Sequence, residues 1–289
     1  ALWPLIVARA AVLVLSSEQQ LSVDPGNSYI RDNLTHEWEI FDVATSVPFE
    51  LMEVAILQVA GFEPPALPLQ ASAPLLPGLQ ISSMTPVDLG VLSAHFQAGN
   101  WEQPGIDQQL LREQAAVKGA ACSLYAQYRL SQTHIDNPQE PRTFALHVEL
   151  QVPAGTELQA PWAGVWQQKA DGQVCLRGEQ CSLWLRGLVD APAPSTLLSV
   201  GQRLGQSDGE LSVQLCRVPG LCPPAFVVPS QAAAWQALCP SPQAVLGFPC
   251  EAEPLIDAQK LLERRDASFA RSQKHYYQQP PHIERGWRN

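Results

Sequence analysis

Residues 143–152 alternate with a period that only extended backbone explains. Phe144, Leu146, Val148, Leu150 and Val152 take every second position, with Ala145, His147, Glu149 and Gln151 between them. Side chains on a strand point to opposite faces in turn, so this stretch reads as a strand with one apolar and one mostly wet face, His147 on the wet one. Turn signals then follow at short intervals. Segments 165–168 and 173–176 flank Ala170-Asp171-Gly172; segment 182–188 follows a turn at Gly178; segments 197–204 and 210–217 flank Ser207-Asp208-Gly209. Residues 225–228 add a short edge strand blunted by Pro223, Pro224 and Pro229. Residues 141–229 are therefore expected to form an antiparallel, sandwich-like β-meander of six or seven strands. Strand and helix do not alternate in the βαβ manner, which disfavours a dinucleotide-type sheet.

The flanks read differently. Residues 1–61 look mixed: 5–15 fits a buried strand or a short helix, Asp24-Pro25-Gly26-Asn27 is a turn, and 38–43 has strand character. A helix is expected over 48–60, where Phe49, Met52, Ile56, Leu57 and Ala60 make one stripe that Gly61 stops. Residues 62–89 carry Pro64, Pro65, Pro68, Pro74, Pro77 and Pro86, which excludes a long helix or a central strand and leaves a linker or arm lying along an apolar surface. Residues 90–140 read as helical, with a stripe over 105–130 that includes Cys122. Residues 230–289 read as C-terminal helices and a basic tail. The fold class is α+β, and no repeat of 20–50 residues points to a solenoid or propeller.

With 46% hydrophobic and 16% charged residues in 289, the chain is too apolar to stay unfolded. A transmembrane span is not expected, because Pro4 and Arg9 interrupt the apolar run of residues 1–15. That run has neither an initiator Met nor a basic leader, which fits removal of a signal peptide or a trimmed chain. Residues 1–259 hold 11 Lys/Arg against 25 Asp/Glu, a charge of −14, and residues 260–289 hold 7 against 3, a charge of +4. An acidic body is a poor general nucleic-acid binder. Its basic tail suits docking to an acidic protein or to another copy of the chain, with Lys274, Tyr276, Tyr277, Arg285, Trp287 and Arg288 as the partner-binding candidates.

Six of the seven cysteines fall in close sequential pairs: Cys175 with Cys181, Cys216 with Cys222, Cys239 with Cys250. Turn-rich sequence inside the first two intervals is compatible with hairpins that bring the sulfurs within disulfide reach. Local disulfides would place the protein in a periplasm or outside the cell. Six cysteines allow fifteen pairings, however. Reduced cytoplasmic thiols and a zinc site remain alternatives, although five-residue gaps exceed the usual spacing of zinc knuckles.

Chemistry-bearing motifs are scarce. The chain has no Gly-x-Ser-x-Gly elbow, phosphate-cradling glycine loop, HExxH, EF-hand loop or CxxC. No catalytic residue, metal ligand or cofactor is therefore assigned. Cys122 with a histidine, Glu37 with Glu39, and Glu149 with a distant acid are conceivable pairs that sequence alone does not support over inert thiols and surface acids. Trp162, Trp166 and Trp184 are candidates for stacking on sugar rings if they stand exposed on a sheet. The leading expectation is a non-catalytic binding or structural subunit of an envelope or extracellular assembly, docking other protein subunits through the proline-rich arm and the basic tail. The alternatives are a secreted carbohydrate-binding or glycoside-hydrolysing protein, and an intracellular complex subunit with reduced or zinc-bound cysteines.

Overall fold

The computed structural model describes residues 2–62, 69–133, 139–169 and 172–252. Three helices open the chain: α1 (Leu2–Val23), α2 (Ser28–Ser46) and α3 (Phe49–Val59). Pro4 does not interrupt α1, because it sits in the first turn, where a helix has no use for the missing N–H. The helix spans 22 residues, and its apolar window has a mean hydropathy of 1.2, long and apolar enough by length and composition to cross a membrane. The interruption expected at Pro4 and Arg9 is therefore absent from this segment. Core helices and signal sequences meet the same criterion. The 24–27 turn forms as expected, and the Asn27 side chain caps α2 by accepting from the Ile30 N–H at 3.2 Å.

The expected strand at 38–43 is instead part of α2. Trp38, Ile40 and Val43 have β propensity, but the segment has no strand to pair with and propensity yields to context. The helix expected at 48–60 is present as α3; beyond it Gly61 takes φ 80° and its N–H bonds to Gln58 O. Gln58 Nε2 also donates to Ala233 O at 3.1 Å, tying α3 to the body of the protein.

The described part of the proline-rich segment packs onto the body. Leu75 is fully buried, its N–H bonded to Val245 O and its carbonyl to Gln159 N. The segment ends in β1 (Met84–Val87), which lies parallel to β2 (Ala120–Ser123) and occupies a sheet edge, where Pro86 can be tolerated. Helix α4 (Ile106–Lys118) stops at Gly119, which adopts φ 100°. Cys122 is consequently on β2, not on the helix that the 105–130 stripe suggested. A glycine in the left-handed region is the signal that divides the two elements.

The remaining strands are β3 (Phe144–Ala145), β4 (Val148–Gln151), β5 (Glu157–Gln159), β6 (Gly164–Gln168), β7 (Val174–Arg177), β8 (Ser182–Val189), β9 (Leu197–Leu198), β10 (Arg203–Cys216) and β11 (Phe226–Val227). The main sheet runs β1-β2-β4-β10-β8-β7-β6-β9, with β5 also on β10; β11 pairs with β3 separately. Apart from β1 with β2 the pairings are antiparallel, so the fold is α+β with a mostly antiparallel mixed sheet and no closed barrel.

The β6-β7-β8 run is the expected meander. The expected hairpin at 207–209 is not formed. One 14-residue strand runs through that site and inserts between β4 and β8. Ser207 and Asp208 turn the chain locally by accepting from Gly209 N and Glu210 N, each at 3.0 Å, and the register against β8 slips between Ser207 and Ser212. The turn residues make a bulge. Opposite it, Gly187 holds φ 81°, and a Cβ there would lie 1.7 Å from Glu210 O.

Both faces of the central sheet are covered. Leu150, Trp166, Leu176, Leu183, Leu185, Val213 and Leu215 belong to one core; Phe144, Leu146, Cys175, Trp184 and Cys216 belong to a second, with Leu51 of α3 and Trp235 and Leu238 of α5 (Ala232–Leu238). A third small core joins Val87 and Ala121 to Ile106, Leu110 and Leu111 of α4. A short α6 (Gln243–Leu246) closes over the first core with Val245 and Leu246. Double coverage explains why the in-between positions of 143–152 are not uniformly wet. His147, expected at the surface, is buried: its Nδ1 lies 3.0 Å from Ala225 O and its ring stands edge-on to Phe226 at 4.9 Å.

Candidate functional site

The charged groups that the fold buries converge beside α4, β2 and β4. The Arg129 side chain is wholly buried, and Nη1 reaches Asp107 Oδ2 at 3.1 Å and Glu149 Oε2 at 3.4 Å. Ser131 Oγ donates to Asp107 Oδ2 at 2.8 Å, and Gln108 Nε2 donates to Glu149 Oε1 at 3.2 Å. His147 Nε2 lies 3.8 Å from the same Glu149 oxygen, while the Glu149 N–H donates to Ser123 Oγ at 2.8 Å. Strand alternation turns Glu149 away from the core that holds Val148 and Leu150, and the first turn of α4 supplies Asp107 and Gln108.

Burial by itself would raise the Glu149 pKa. The nearby His147 imidazole and the charge of Arg129 outweigh it and hold the carboxyl down at about 2. Burial does dominate at Asp107, raising its pKa against the opposing charge of Arg129. The acid distant in sequence from Glu149 is thus Asp107, with Arg129 between them. Both carboxylates are committed to the guanidinium, and Glu149 is held in its ionised form. The arrangement braces α4 against the sheet and is not a hydrolytic carboxylate pair with a free acid and a free base.

The outer side of this brace lines a cavity of about 240 Å³, bordered by Gln108, Glu149, Arg186, Gly187, Asp208 and Glu210. The β10 bulge opposite Gly187 shapes it. Glu210, on its border, is ion-paired to Arg112 of α4. Sequence reasoning missed Asp107 and Arg129, because residues 22 apart in the chain meet only once α4 docks on the sheet. The one local signal was an Asp in the first turn of a helix, which helix-end electrostatics also explains.

The carbohydrate candidates need correction. Trp166 and Trp184 are buried on opposite faces of the sheet, in the first and second cores, and Trp162 is partly buried against the first. They offer no shared stacking platform: positions 166 and 184 have opposite parity relative to their paired strands, so the pleat sends one ring to each side. Lys169 caps the Trp184 ring at 4.7 Å from its centroid.

All seven cysteines are free thiols, six buried and Cys222 partly exposed. None of the sequence-neighbour pairs is bonded in this structure. Cys175 lies in the second core and Cys181 in the first, and the same division separates Cys239 from Cys250. Cys216 and Cys222 share the second core, where the Cys222 thiol donates to Gln173 Oε1 at 3.1 Å. Among the described residues no group of three or more His, Cys, Asp or Glu is placed to hold a metal ion. Cys122 is an unpromising nucleophile, because burial and then the neighbouring Cys250 push its thiol up to about 12. The tail candidates Lys274, Tyr276, Tyr277, Arg285, Trp287 and Arg288 lie outside the described residues.

The most unusual surface is on the N-terminal helices. Leu5 is 66% exposed, Leu15 64% and Val43 66%, and Leu2, Ile6, Val12, Trp38, Ile40, Phe49 and Leu57 are also exposed. Only Ala10, Val14 and Ser17 of α1 and Ala44 of α2 are buried.

No family model matches the chain, and no curated protein matches it. Among solved structures it is similar to lysostaphin at 14% identity and a TM-score of 0.26, over 40% of this chain and 50% of that one. It is similar to the catalytic domain of the prophage-encoded M23 protein EnpA from Enterococcus faecalis at 16% identity and a TM-score of 0.25, over 33% and 83%. The match to Helicobacter pylori Csd3 has 11% identity and a TM-score of 0.26, over 54% and 40%. The chain thus spans half of lysostaphin and less of Csd3, and at such TM-scores the likeness carries no argument about fold or activity.

Proposed function

We propose that this chain is a binding or structural subunit of an envelope or extracellular protein assembly, and that its N-terminal helical arm is its principal docking surface. The proline-rich segment and the basic tail extend that contact. One observation carries the reading: α1 and α2 present Leu5, Leu15 and Val43, each about two-thirds exposed, to no other described residue that covers them. Large contiguous apolar surface on a folded protein marks a site of association. An amphipathic helix recognises a groove or another helix through such residues. The buried charges fit the same reading, since Asp107 and Glu149 are paired with Arg129 inside the fold.

The test is affinity capture from the native source with three forms of the chain: unaltered, with Leu5, Leu15 and Val43 changed to Ser, and with residues 260–289 removed. The proposal expects specific partners with the first form and their loss with the second, at unchanged thermal stability. Equal recovery of the same partners by the Ser variant overturns it. Equal recovery without residues 260–289 removes the tail from the interface but leaves the arm.

A second reading, an intracellular complex subunit with reduced cysteines, is favoured by one feature. Burial raises the thiols of Cys122, Cys175, Cys181 and Cys250 to about 12, so they sit protonated in the cores like small apolar side chains. Alkylating freshly isolated protein before and after reduction separates the readings: disulfides support the envelope, and seven free thiols the cell interior.

A further inference from the structure

The two cores sort the cysteines in an order different from that of the sequence. Cys175, Cys216, Cys222 and Cys239 border the second core; Cys122, Cys181 and Cys250 border the first. Within the second core two sulfurs come from distant elements and meet. Cys216 is the last residue of β10 and Cys239 caps the C-terminus of α5. The Arg217 N–H donates to Leu238 O at 2.8 Å, joining the residue after one cysteine to the residue before the other. The Tyr125 hydroxyl donates to Cys239 O and pins that backbone from a third element. Both side chains are wholly buried, and both belong to the second core.

We propose that Cys216 and Cys239 form a native disulfide under oxidising conditions, locking α5 to the end of the longest strand. A disulfide needs Cα atoms roughly 4.4–6.8 Å apart and converging Cβ vectors. Cys216 and Cys239 flank a 2.8 Å backbone hydrogen bond and turn their side chains into one core, an arrangement that suits such a link. The chemistry is thiol–disulfide exchange with an oxidised dithiol or with glutathione disulfide. The Cys216 thiol loses its proton and attacks one sulfur of the oxidant, releasing one thiolate and leaving a mixed disulfide. The Cys239 thiolate then displaces the second oxidant sulfur. The protein gives up two electrons and two protons, and the oxidant disulfide leaves as two thiols. Because both sulfurs are buried in the finished fold, exchange takes place before α5 docks.

The experiment refolds the full chain in a mixture of reduced and oxidised glutathione. Remaining thiols are blocked with N-ethylmaleimide in denaturant, and the unreduced peptides are mapped by mass spectrometry. The expected result is a cross-link joining the peptides of Cys216 and Cys239. Reduction should lower the melting temperature by about 10 °C, from the entropy a loop of this size restores to the unfolded chain. The double variant Cys216→Ala/Cys239→Ala should fold, lack that cross-link and melt at the same temperature with and without reductant. Recovery of Cys175–Cys181, Cys216–Cys222 or Cys239–Cys250 as the dominant links overturns the proposal. So does finding Cys216 and Cys239 free while the mixture oxidises other thiols. Neither result bears on the docking arm, whose test does not depend on sulfur.

Discussion

The helical arm and the sheet body solve the same problem in opposite ways. In the body, β7, β8 and β10 send successive side chains into two different cores, so that Cys175, Trp184 and Cys216 are buried as completely as their neighbours on the other face. In the arm, 22 residues of α1 bury three. The arm holds its shape through the packing of α1 on α2 and the anchoring of α3 against α5, not through a core of its own. The body buries its apolar residues within itself; the arm leaves them exposed, and the docking proposal rests on that difference.

The contrast gives a graded series of expected effects. Arg129→Ala should be the most damaging, by about 3–5 kcal/mol, because it leaves the buried Asp107 without its cation and opens a gap in the packing. Urea denaturation measures it, and a loss below about 1 kcal/mol would show that the brace does not hold the body together. Trp166→Ala, at a wholly buried ring of the first core, should cost about 3–5 kcal/mol. Gly187→Ala should cost about 1–3 kcal/mol through its left-handed backbone and the Glu210 carbonyl in the way of a Cβ. Normal stability in that variant would mean that the β10 bulge is free to move aside.

Acid titration sharpens the same comparison. Glu149 is held at about 2 in the folded protein, below the ordinary 4.5. Its stabilisation is therefore fully present above pH 4.5 and is lost as pH falls from there toward 2. Asp107, whose pKa is raised, acts in the opposite sense. Glu149→Gln should flatten the fall in stability between pH 4.5 and 2, as read by denaturant midpoints at each pH. An unchanged slope would remove Glu149 from the network. The smallest effect belongs to the arm. Trp38, 41% exposed on α2, should change to Ala at a loss within about 0.5 kcal/mol, against several for Trp166.

How much of this was legible in the sequence divides along the same line. The alternation of 143–152 placed β4, and the turn signal after 169 placed β6 and β7, but the single strand expected over 143–152 is broken into β3 and β4, with Phe144 and Leu146 in the second core and Val148 and Leu150 in the first. The double burial of the sheet was not legible, since a covered wet face looks the same as an exposed one until α5 and β11 are placed over it. Hence His147 was expected at the surface, and Trp162, Trp166 and Trp184 stood as stacking candidates only on the condition of exposure. Ser207-Asp208-Gly209 has the composition of a hairpin turn and makes a bulge, a choice set by the two strands flanking β10. The buried brace was hidden because Asp107, Arg129 and Glu149 come from three elements, and the cysteine sorting because it depends on the face each strand position takes.

The docking role of the arm is tested most directly by photo-crosslinking in the native host, with a benzophenone amino acid placed at Leu15 or Val43 on the arm, or at Val165 or Val200 on the body. All four side chains are exposed. The account expects crosslinks to another protein chain from Leu15 and Val43, and none from Val165 and Val200. Crosslinks from the body positions alone, with the arm positions silent, would contradict it.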